Sequence, residues 1–420
     1  MLKGSFELIG DKSISHRSIM FSSIAKGTTK ISNFLMGQDC LSTIDCFRKM
    51  GVDISIDNKD VIVKGVGLRG LKEPTDILDV GNSGTTIRLM MGILAGNNFE
   101  STIIGDESIA KRPMKRVTDP LRLMGCNIIG KEDANYTPIT IHGGNLNSIN
   151  YNMPVASAQV KSAIILASLY ASEPSIIIEK KKSRNHTEIM LNSFGADIKT
   201  NGLEIKVNPV KELFSLENIN VAGDISSAAF IIVGTSIIKD SEVIIKNVGL
   251  NETRTGILDV LKAMNGKFEI LDKRFQGGEL VGDILVKYSE NLIGTTIDSD
   301  LIPRLIDEIP IIAVLATQAE GTTLIKDAKE LKVKESNRIK AVVDNLKIMG
   351  ADIEELEDGM LIKGKTELKG ANITTFNDHR IAMAFSIASL IAKGETNLDN
   401  TNCINISFPG YFDLLNSLLK

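Results

Sequence analysis

Aromatic residues are scarce in this sequence, and an excess of positive over negative charge is missing. Its 420 residues include no tryptophan, aromatic side chains make up 5%, and the formal net charge is −4. Proteins that bind nucleic acids usually carry a basic excess and aromatic platforms for the bases. We therefore expect no nucleic-acid partner. A content of 43% hydrophobic and 24% charged residues is typical of globular proteins, and the length favours two domains.

Cysteine and histidine are also rare, with four of each. The cysteines (Cys40, Cys46, Cys126 and Cys403) form no C-x-x-C pair and are too few for a disulfide framework. The histidines are scattered, and no H-E-x-x-H motif occurs, which argues against a protein-built zinc site. We expect buried thiols, a reducing cytoplasm and no metal.

Long apolar runs are missing as well. No stretch approaches the roughly 18 apolar residues of a membrane span, and the N-terminus lacks the apolar core of a signal peptide. We expect neither a membrane partner nor secretion.

One glycine-rich stretch stands out, Val80-Gly-Asn-Ser-Gly-Thr-Thr-Ile-Arg88, between an apolar strand and an apolar helix. Free N–H groups and the positive end of the helix dipole favour an anion at such a helix start. Gly81 and Gly84 let the backbone approach a ligand closely, and Arg88 adds charge. The alternative is an ordinary Ser/Thr cap before a core helix.

The same pattern, a small-residue helix followed by a Gly/Thr turn and a strand, occurs six times. The copies span residues 15–31, 84–104, 157–178, 224–245, 307–325 and 378–398. A second helix that stops at Gly51, Gly125, Gly195 or Gly350 follows four of them, and Met264-Asn265-Gly266 is a degenerate version. Glycine after a helix supplies the left-handed turn that ends it. Six βαβαββ units, at a spacing of roughly 70–80 residues, predict two α/β domains of three units with a boundary near residues 216–223.

Two other glycine patterns are less informative. Gly65-Val-Gly67-Leu-Arg-Gly70 matches G-x-G-x-x-G, but Leu71-Lys-Glu-Pro74 follows in place of a helix, so a dinucleotide site is not expected. Gly277-Gly278 predicts a hairpin turn.

Charged residues gather at the predicted helix starts. The cations are Lys12, Arg17, Arg88, Arg112, Lys334, Arg338 and Arg380. In a net-negative protein they predict one basic cleft for an acidic small molecule, although solvated surface residues are the alternative. Asp307 and Glu335 lie near these cations and are candidate bases; a helix cap and an i,i+3 ion pair are the alternatives.

Seven motifs together resemble the 5-enolpyruvylshikimate-3-phosphate (EPSP) synthase family, in its Gram-positive-like branch. In family order they begin at Gly10, Gly81, Ala110, Ser157, Ile306, Val333 and Asn377, and read GDKSISHR, GNSGTTIR, AKRP, SAQ, IDEIP, VKESNR and NDHR. The resemblance spans nearly the whole chain.

The resemblance implies an inverse α/β barrel of two domains, residues 10–222 and residues 1–9 plus 223–420, with the active site in the cleft between them. It implies transfer of the enolpyruvyl group of phosphoenolpyruvate to the 5-hydroxyl of shikimate 3-phosphate, by addition and then elimination of phosphate, in the shikimate pathway. The family needs no cofactor and no metal. We expect a cytoplasmic monomer whose partners are these two small molecules.

The resemblance also implies the site residues. Those for shikimate 3-phosphate would be Lys12, Ser13, Arg17, Ser157, Gln159, Ser183, Asp307 and Lys334. Those for phosphoenolpyruvate would be Lys12, Gly84, Arg112, Gln159, Arg338 and Arg380. Asp307 would take the 5-hydroxyl proton, Glu335 would shuttle the methylene proton, and Lys12 would be the third catalytic residue.

The chain departs from enterobacterial-type members at Leu89, Ala158, His186, Glu330 and Ile406, where those members have Pro, Ser, Tyr, Asn and Lys. The change at Ile406 removes one phosphoenolpyruvate contact. One alternative function is the sister transferase for UDP-N-acetylglucosamine, which usually carries a reactive Cys, and sometimes an Asp, in a loop where residues 105–113 here have no Cys. The other is a non-catalytic phosphate-binding repeat protein.

Overall fold

The structure, a computed structural model, describes residues 1–276 and 278–420. Gly277, which the sequence predicts in a hairpin turn with Gly278, lies outside the described residues. No helix within those two ranges is long and apolar enough to cross a membrane.

The α-helices are short, and the longest in the described part of the chain has 13 residues. In chain order they are α1 (Lys12–Ser23), α2 (Gln38–Lys49), α3 (Gly84–Ala95), α4 (Lys115–Leu123), α5 (Lys131–Ala134), α6 (Ala158–Ser168), α7 (His186–Ser193), α8 (Ile225–Ile237), α9 (Gly256–Ala263), α10 (Ile302–Leu305), α11 (Ile309–Thr317), α12 (Arg338–Ile348), α13 (His379–Ser389) and α14 (Tyr411–Leu418). Short 3₁₀ helices span Ile109–Lys111, Ile306–Glu308, Lys329–Val333 and Asn402–Ile406.

The strands alternate with these helices. They are β1 (Lys3–Glu7), β2 (Lys26–Ser32), β3 (Asp53–Asp57), β4 (Asp60–Val66), β5 (Leu78–Asp79), β6 (Glu100–Ile104), β7 (Asn127–Gly130), β8 (Tyr136–His142), β9 (Asn150–Asn152), β10 (Ser175–Ile178), β11 (Asp197–Asn201), β12 (Glu204–Asn208), β13 (Asn218–Asn220), β14 (Glu242–Gly249), β15 (Lys267–Gln276), β16 (Glu279–Lys287), β17 (Thr296–Ile297), β18 (Gly321–Ile325), β19 (Asp352–Leu356), β20 (Gly359–Gly364), β21 (Asn372–Ile373) and β22 (Asn397–Leu398).

The chain divides into two compact units, and one of them comprises residues 10–221 with 276 and 278. Its sheets have the orders β13-β2-β4-β3, β5-β6-β8-β7 and β9-β10-β12-β11. Each begins with a parallel edge pair, such as Leu78 opposite Ile103, and continues with antiparallel pairs. Helices α3 and α6 pack against each other in this unit.

The other unit comprises residues 1–9, 222–275 and 279–420. Its sheets have the orders β1-β14-β16-β15, β17-β18-β20-β19 and β21-β22. Strand β1 runs parallel to β14, with Lys3 opposite Glu242. Helices α8, α11 and α13 pack against one another, and every residue of α8 and α11 is buried. Neither of those two helices contains a charged residue, as expected for helices that face protein on all sides.

Small polar residues cap the helix starts that the repeat predicts. In the described residues, side chains of Asp11, Ser83, Ser157, Asp224 and Asp378 accept hydrogen bonds from backbone N–H groups of the first turns of α1, α3, α6, α8 and α13. Each cap satisfies one N–H that has no partner inside the helix. The fifth copy differs, because Ile306–Glu308 forms a 3₁₀ helix and α11 then begins at Ile309 without a side-chain cap. The alternative that Asp307 caps this helix is wrong.

The glycine stops are confirmed by the backbone conformation. Gly51, Gly125, Gly195 and Gly350 have φ angles of +87°, +95°, +93° and +88° after α2, α4, α7 and α12. In the degenerate copy the left-handed residue is Asn265, with φ of +63°, and not the following glycine. Asparagine tolerates this conformation better than most residues, so the turn is kept.

A buried hydrogen-bond chain joins three helices of the residue 10–221 unit through His16 on α1. Its Nδ1 lies 2.7 Å from Thr43 Oγ1 on α2, which lies 2.7 Å from Thr86 Oγ1 on α3. Thr86 Oγ1 donates to Ser83 Oγ, the cap of α3, at 2.6 Å. Burial, with the charges of Lys12 and Arg17, lowers the pKa of His16 well below its ordinary value of 6.5, so a neutral imidazole links these helix starts.

We expect His16 to make the protein less stable in mild acid. The unfolded chain takes up a proton at this histidine near pH 6.5, whereas the folded chain does so only at lower pH. The stability that depends on neutral His16 is therefore fully present above that pH. As the pH is lowered further, it falls by at most about 1.4 kcal/mol per pH unit for one group. Urea unfolding at pH 7.5, 6.5 and 5.5 should show a shallower loss for His16→Gln than for wild type.

The control for this prediction is His142→Gln, because His142 lies at a more exposed position, with 37% of its side chain accessible. This variant removes a histidine but keeps the buried imidazole of His16, so its loss of stability between pH 7.5 and 5.5 should stay steeper than that of His16→Gln. Parallel curves for wild type and His16→Gln would contradict the assignment.

Candidate active site

Three of the predicted site residues lie on α1, whose start the Asp11 cap fixes. Lys12 is the first residue of the helix and forms an ion pair with the buried carboxylate of Asp39 on α2. Ser13 follows, and its carbonyl oxygen accepts a hydrogen bond from Arg17 Nη1 at 3.0 Å. Asp39 is not among the residues predicted from the sequence, although it is a carboxylate in the first turn of an amphipathic helix.

Arg17 is clamped between helices. Its Nε donates to Thr187 Oγ1 on α7 at 2.8 Å, and its Nη2 donates to Ser162 Oγ on α6 at 3.0 Å. Those two hydroxyls lie 2.6 Å from each other. The guanidinium is buried, and this network holds it in one orientation.

Gly84 is the first residue of α3, and two guanidinium groups lie beside it. A Cβ atom built at Gly84 would lie 3.0 Å from Arg112 Nη1 and 3.3 Å from Arg88 Nη1. Arg112 follows the 3₁₀ helix Ile109–Lys111, and its Nη2 donates to Asn82 Oδ1 at 3.3 Å and to Ser108 Oγ at 3.1 Å. A capped helix start and two cations therefore meet at a position without a side chain, which suits an anion.

Ser157 and Gln159 lie at the start of α6, on the helix that packs against α3. Ser157 is the cap of α6, and its Oγ accepts from Val160 N at 3.4 Å. Gln159 Oε1 accepts from Arg88 Nη1 at 2.5 Å, and Gln159 Nε2 donates to Thr85 Oγ1 at 3.0 Å. The structure thus brings Gly84, Arg112 and Gln159 together, with Arg88 between them.

Ser183 lies in the loop between β10 and α7 and contacts a buried cluster of charged side chains. Its backbone N donates to Glu179 Oε1 at 3.1 Å, and its hydroxyl donates to the same oxygen. Lys161 on α6 lies 3.2 Å from Glu179 Oε2 and 2.7 Å from Glu188 Oε1, and side chains of all three are at most 6% exposed. A buried charge needs such partners.

This cluster lines a cavity of about 570 Å³ together with Ser183. Lys161, Glu179 and Glu188 are not among the residues predicted from the sequence. A lysine within the small and apolar residues of α6 was the available signal, because such a helix buries nearly all of its side chains.

In the unit that comprises residues 1–9, 222–275 and 279–420, Asp307 faces two cations. Its Oδ1 accepts from Lys334 Nζ at 3.2 Å and from Arg338 Nη1 at 3.3 Å. Its side chain is 16% exposed, whereas that of Arg338 is only 2% exposed. The 3₁₀ helix Ile306–Glu308 therefore presents a solvent-accessible carboxylate next to a buried guanidinium.

Arg338 is the first residue of α12 and contacts three carboxylates. Besides Asp307, its Nη2 donates to Glu335 Oε2 at 2.6 Å, and its Nε donates to Asp378 Oδ2 at 2.8 Å. Burial works against the charge of Arg338, but Asp378 and Glu335 outweigh it and raise its pKa. Burial likewise opposes ionisation of Asp378, but Arg338 holds the pKa of that carboxyl below its usual value of 3.8.

Asp378 also connects this cluster to Arg380 on α13. Its Oδ1 accepts from the backbone N of Arg380 at 2.9 Å, as the cap of that helix. Arg380 Nη1 donates to the carbonyl oxygen of Ser226 on α8 at 3.1 Å. Asp378 therefore anchors both arginines that the sequence predicts for one anionic ligand. It accepts hydrogen bonds from the guanidinium of Arg338 and from the backbone N–H of Arg380.

The positions where the chain departs from enterobacterial-type members have ordinary surroundings. Leu89 is buried in α3, and His186 is buried at the first position of α7. Ile406 is the last residue of the 3₁₀ helix Asn402–Ile406 and packs against the core of its unit. An apolar side chain at this position offers no charge to an anion.

Comparison with known proteins agrees with this chemistry. The sequence profile of EPSP synthase (3-phosphoshikimate 1-carboxyvinyltransferase) matches residues 1–415. A curated 3-phosphoshikimate 1-carboxyvinyltransferase of Oceanobacillus iheyensis is 56% identical over 419 residues, with 100% of this chain and 97% of the relative covered.

The chain belongs to the EPSP synthase family. A Bacillus pumilus relative with the same name is 55% identical over 420 residues, covering 100% of this chain and 98% of the relative.

Solved structures of the EPSP synthase family share the fold. The EPSP synthase of Acinetobacter baumannii superposes with a TM-score of 0.89 at 44% identity, covering 99% of this chain and 96% of that one. The enolpyruvyl transferase NikO of Streptomyces tendae superposes with a TM-score of 0.80 at 14% identity, covering 99% and 95%, and supports the fold alone. The predicted two-domain α/β fold of the enolpyruvyl transferase type is confirmed, and the number of repeats stays a prediction.

Proposed function

We propose that this chain transfers the enolpyruvyl group of phosphoenolpyruvate to the 5-hydroxyl of shikimate 3-phosphate and releases phosphate. Besides family membership, the observation that carries the proposal is the accessible carboxylate of Asp307 against Lys334 and Arg338. A reaction between two anions needs cations to offset their charge and a base for the attacking hydroxyl. This cluster offers both.

The reaction needs three proton movements. Asp307 takes the proton of the 5-hydroxyl while the hydroxyl oxygen forms a bond to the central carbon of phosphoenolpyruvate. The methylene carbon gains a proton with help from Glu335. The tetrahedral adduct then loses a methyl proton and its phosphate, which restores the double bond. Lys12, whose ammonium lies against Asp39, is the third catalytic group, because a cation stabilises the negative charge that develops on the phosphate as it leaves the adduct.

The remaining predicted residues bind the substrates. For shikimate 3-phosphate we assign Lys12, Ser13, Arg17, Ser157, Gln159, Ser183, Asp307 and Lys334. For phosphoenolpyruvate we assign Lys12, Gly84, Arg112, Gln159, Arg338 and Arg380. Arginine suits both the carboxylate and the phosphate of these molecules through its planar fork of donors.

No cofactor or metal is part of the proposal, and we propose a monomer. The four cysteines are free and buried, as is usual for a reducing cytoplasm.

The sister reaction on UDP-N-acetylglucosamine is less well supported, because the family that uses it usually carries a reactive thiol. Burial raises the pKa of Cys126 to about 12 and that of Cys46 to about 12, which keeps both thiols protonated.

Phosphate release tests the proposal directly. The full chain is incubated with phosphoenolpyruvate and either shikimate 3-phosphate or UDP-N-acetylglucosamine, and the organic product is identified by mass spectrometry. The expected result is phosphate release when shikimate 3-phosphate is the acceptor and no release when UDP-N-acetylglucosamine is the acceptor. Release with only the nucleotide sugar would replace the proposal by the sister reaction, and release with neither acceptor would favour a non-catalytic protein.

We expect Gly84→Ala to weaken the use of phosphoenolpyruvate selectively. The new methyl group would press on Arg112 Nη1, only 3.0 Å away, and move that guanidinium. A methyl group of misfit typically changes kcat/KM by about tenfold, so KM for phosphoenolpyruvate should rise by about that factor. Steady-state kinetics with each substrate varied in turn measures it.

The control is Gly144→Ala, because a Cβ there would meet only Asn98 Oδ1, at 4.0 Å. It should leave both KM values unchanged. An equal rise in KM for shikimate 3-phosphate in Gly84→Ala would argue against a donor-side position.

A further inference from the structure

Arg88 holds the side chain of Gln159, a residue that the proposed function assigns to both substrates. Arg88 lies in the second turn of α3, and its Nη1 donates to Gln159 Oε1 across the α3–α6 contact at 2.5 Å. Gln159 Nε2 donates to Thr85 Oγ1 on the same helix, at 3.0 Å. Both ends of the amide are therefore tied to α3, and the bond to the guanidinium is of the strong, charge-assisted kind.

The bond from Arg88 decides which end of the amide serves the ligand. A guanidinium has only donors, so the atom that faces it must be the amide oxygen. A primary amide nitrogen carries two hydrogens, and Thr85 accepts one of them. Both proposed substrates are anions, which an N–H attracts and a carbonyl oxygen repels. With the amide turned around, the carbonyl oxygen would replace the N–H.

Arg88 also lies next to the proposed donor site. A Cβ atom at Gly84 would lie 3.3 Å from Arg88 Nη1, which is close to its distance of 3.0 Å from Arg112 Nη1. The same guanidinium nitrogen thus approaches Gly84 and bonds to Gln159. Loss of Arg88 would remove the partner of the Gln159 oxygen at the place where an anion is expected.

We propose that Arg88 is a positioning residue that fixes the amide of Gln159 with its nitrogen available to the anionic substrates. The inference rests on the proposed function and assigns a role to an arginine that the site assignments leave out. The two arginines at this helix start therefore have different roles. Arg112 binds the ligand, whereas Arg88 acts through Gln159.

A double-mutant cycle tests this role. Arg88→Met keeps the unbranched stem of the side chain but removes every donor, and we expect kcat/KM to fall about tenfold for both substrates, mostly through KM. Gln159→Ala removes the amide that Arg88 is proposed to hold. In that background Arg88→Met should lower kcat/KM by less than about twofold, because residues that act as one unit show non-additive losses.

Two further variants separate positioning from general structural support. Arg88→Lys keeps one donor and should recover part of the activity that Arg88→Met loses. Arg122→Met is the matched control, because this arginine of α4 bonds to Ile128 O and Asp133 in the same unit; its kcat/KM should equal that of wild type. Thermal melting of each variant reports on folding, and Arg88→Lys carries the test if Arg88→Met does not fold.

The outcomes distinguish this inference from the proposed function. A full tenfold loss on Arg88→Met in the Gln159→Ala background would overturn the positioning role, because Arg88 would then act without the amide. Unchanged kinetics of Arg88→Met in the wild-type background would also overturn it. Wild-type protein without turnover on shikimate 3-phosphate and phosphoenolpyruvate would overturn the proposed function, and this inference with it.

Discussion

Asp307→Asn is expected to lower kcat by about 10²–10⁴-fold, the usual contribution of a general base, while both substrates still bind. The amide has nearly the same volume and keeps an oxygen for Lys334 and Arg338, which lie 3.2 and 3.3 Å from Oδ1 in the wild type. It cannot accept the hydroxyl proton. Phosphate release under saturating substrates measures kcat, and calorimetry measures the binding of shikimate 3-phosphate.

The control is Asp344→Asn, which removes a carboxylate of α12 that pairs with Lys340 at the surface. Exposed pairs of this kind contribute little, so wild-type kcat is expected. A near-wild-type kcat for Asp307→Asn would remove Asp307 from the role of base, and the loss of ligand binding together with kcat would show that its charge organises the cations instead.

The helix starts and stops could be predicted from the sequence because each depends on a few neighbouring residues. A cap needs one polar side chain within three residues of the N–H group that it satisfies, as at Ser83 and Thr86. The glycine stops depend on a single φ angle, and this is why Asn265 takes over where Gly266 stands one residue too late. The 3₁₀ helix at Asp307 was not predicted, although Pro310 in the first turn of α11 marks a helix start next to it.

The contacts within the candidate site were less accessible to sequence analysis, because they join residues far apart in the chain. Arg338 and Asp378 are separated by 40 positions, and Arg88 and Gln159 by 71. The motifs indicate charged residues at helix starts but not which charges meet. Lys161 shows the same limit: only packing of α6 against β10 and α7 reveals that its ammonium joins two buried carboxylates.

Replacing Arg338 by Met is expected to destabilise the protein by about 3–5 kcal/mol and to abolish activity, because it removes one partner of a buried ionic cluster. The side chain of Arg338 is 2% exposed and that of Asp378 is fully buried, with 2.8 Å between Arg338 Nε and Asp378 Oδ2. Without the guanidinium, Asp378 stays buried with its main cation gone. Urea unfolding at pH 7.5 and phosphate release measure the two effects.

The pH dependence identifies Asp378 as the origin of this loss. In the wild type Arg338 holds the pKa of Asp378 below 3.8, so the ionised carboxylate contributes stability that is complete above that value and lost as pH falls through the lower folded pKa. In Arg338→Met, burial and the charge of Glu335 raise this pKa against fewer opposing groups, so protonation at pH 5.5 should recover part of the stability. The double variant Arg338→Met/Asp378→Asn should recover it at pH 7.5 without restoring turnover. Equal destabilisation by Arg338→Met at both pH values, with no recovery in the double variant, would place the loss in packing and not in the uncompensated charge.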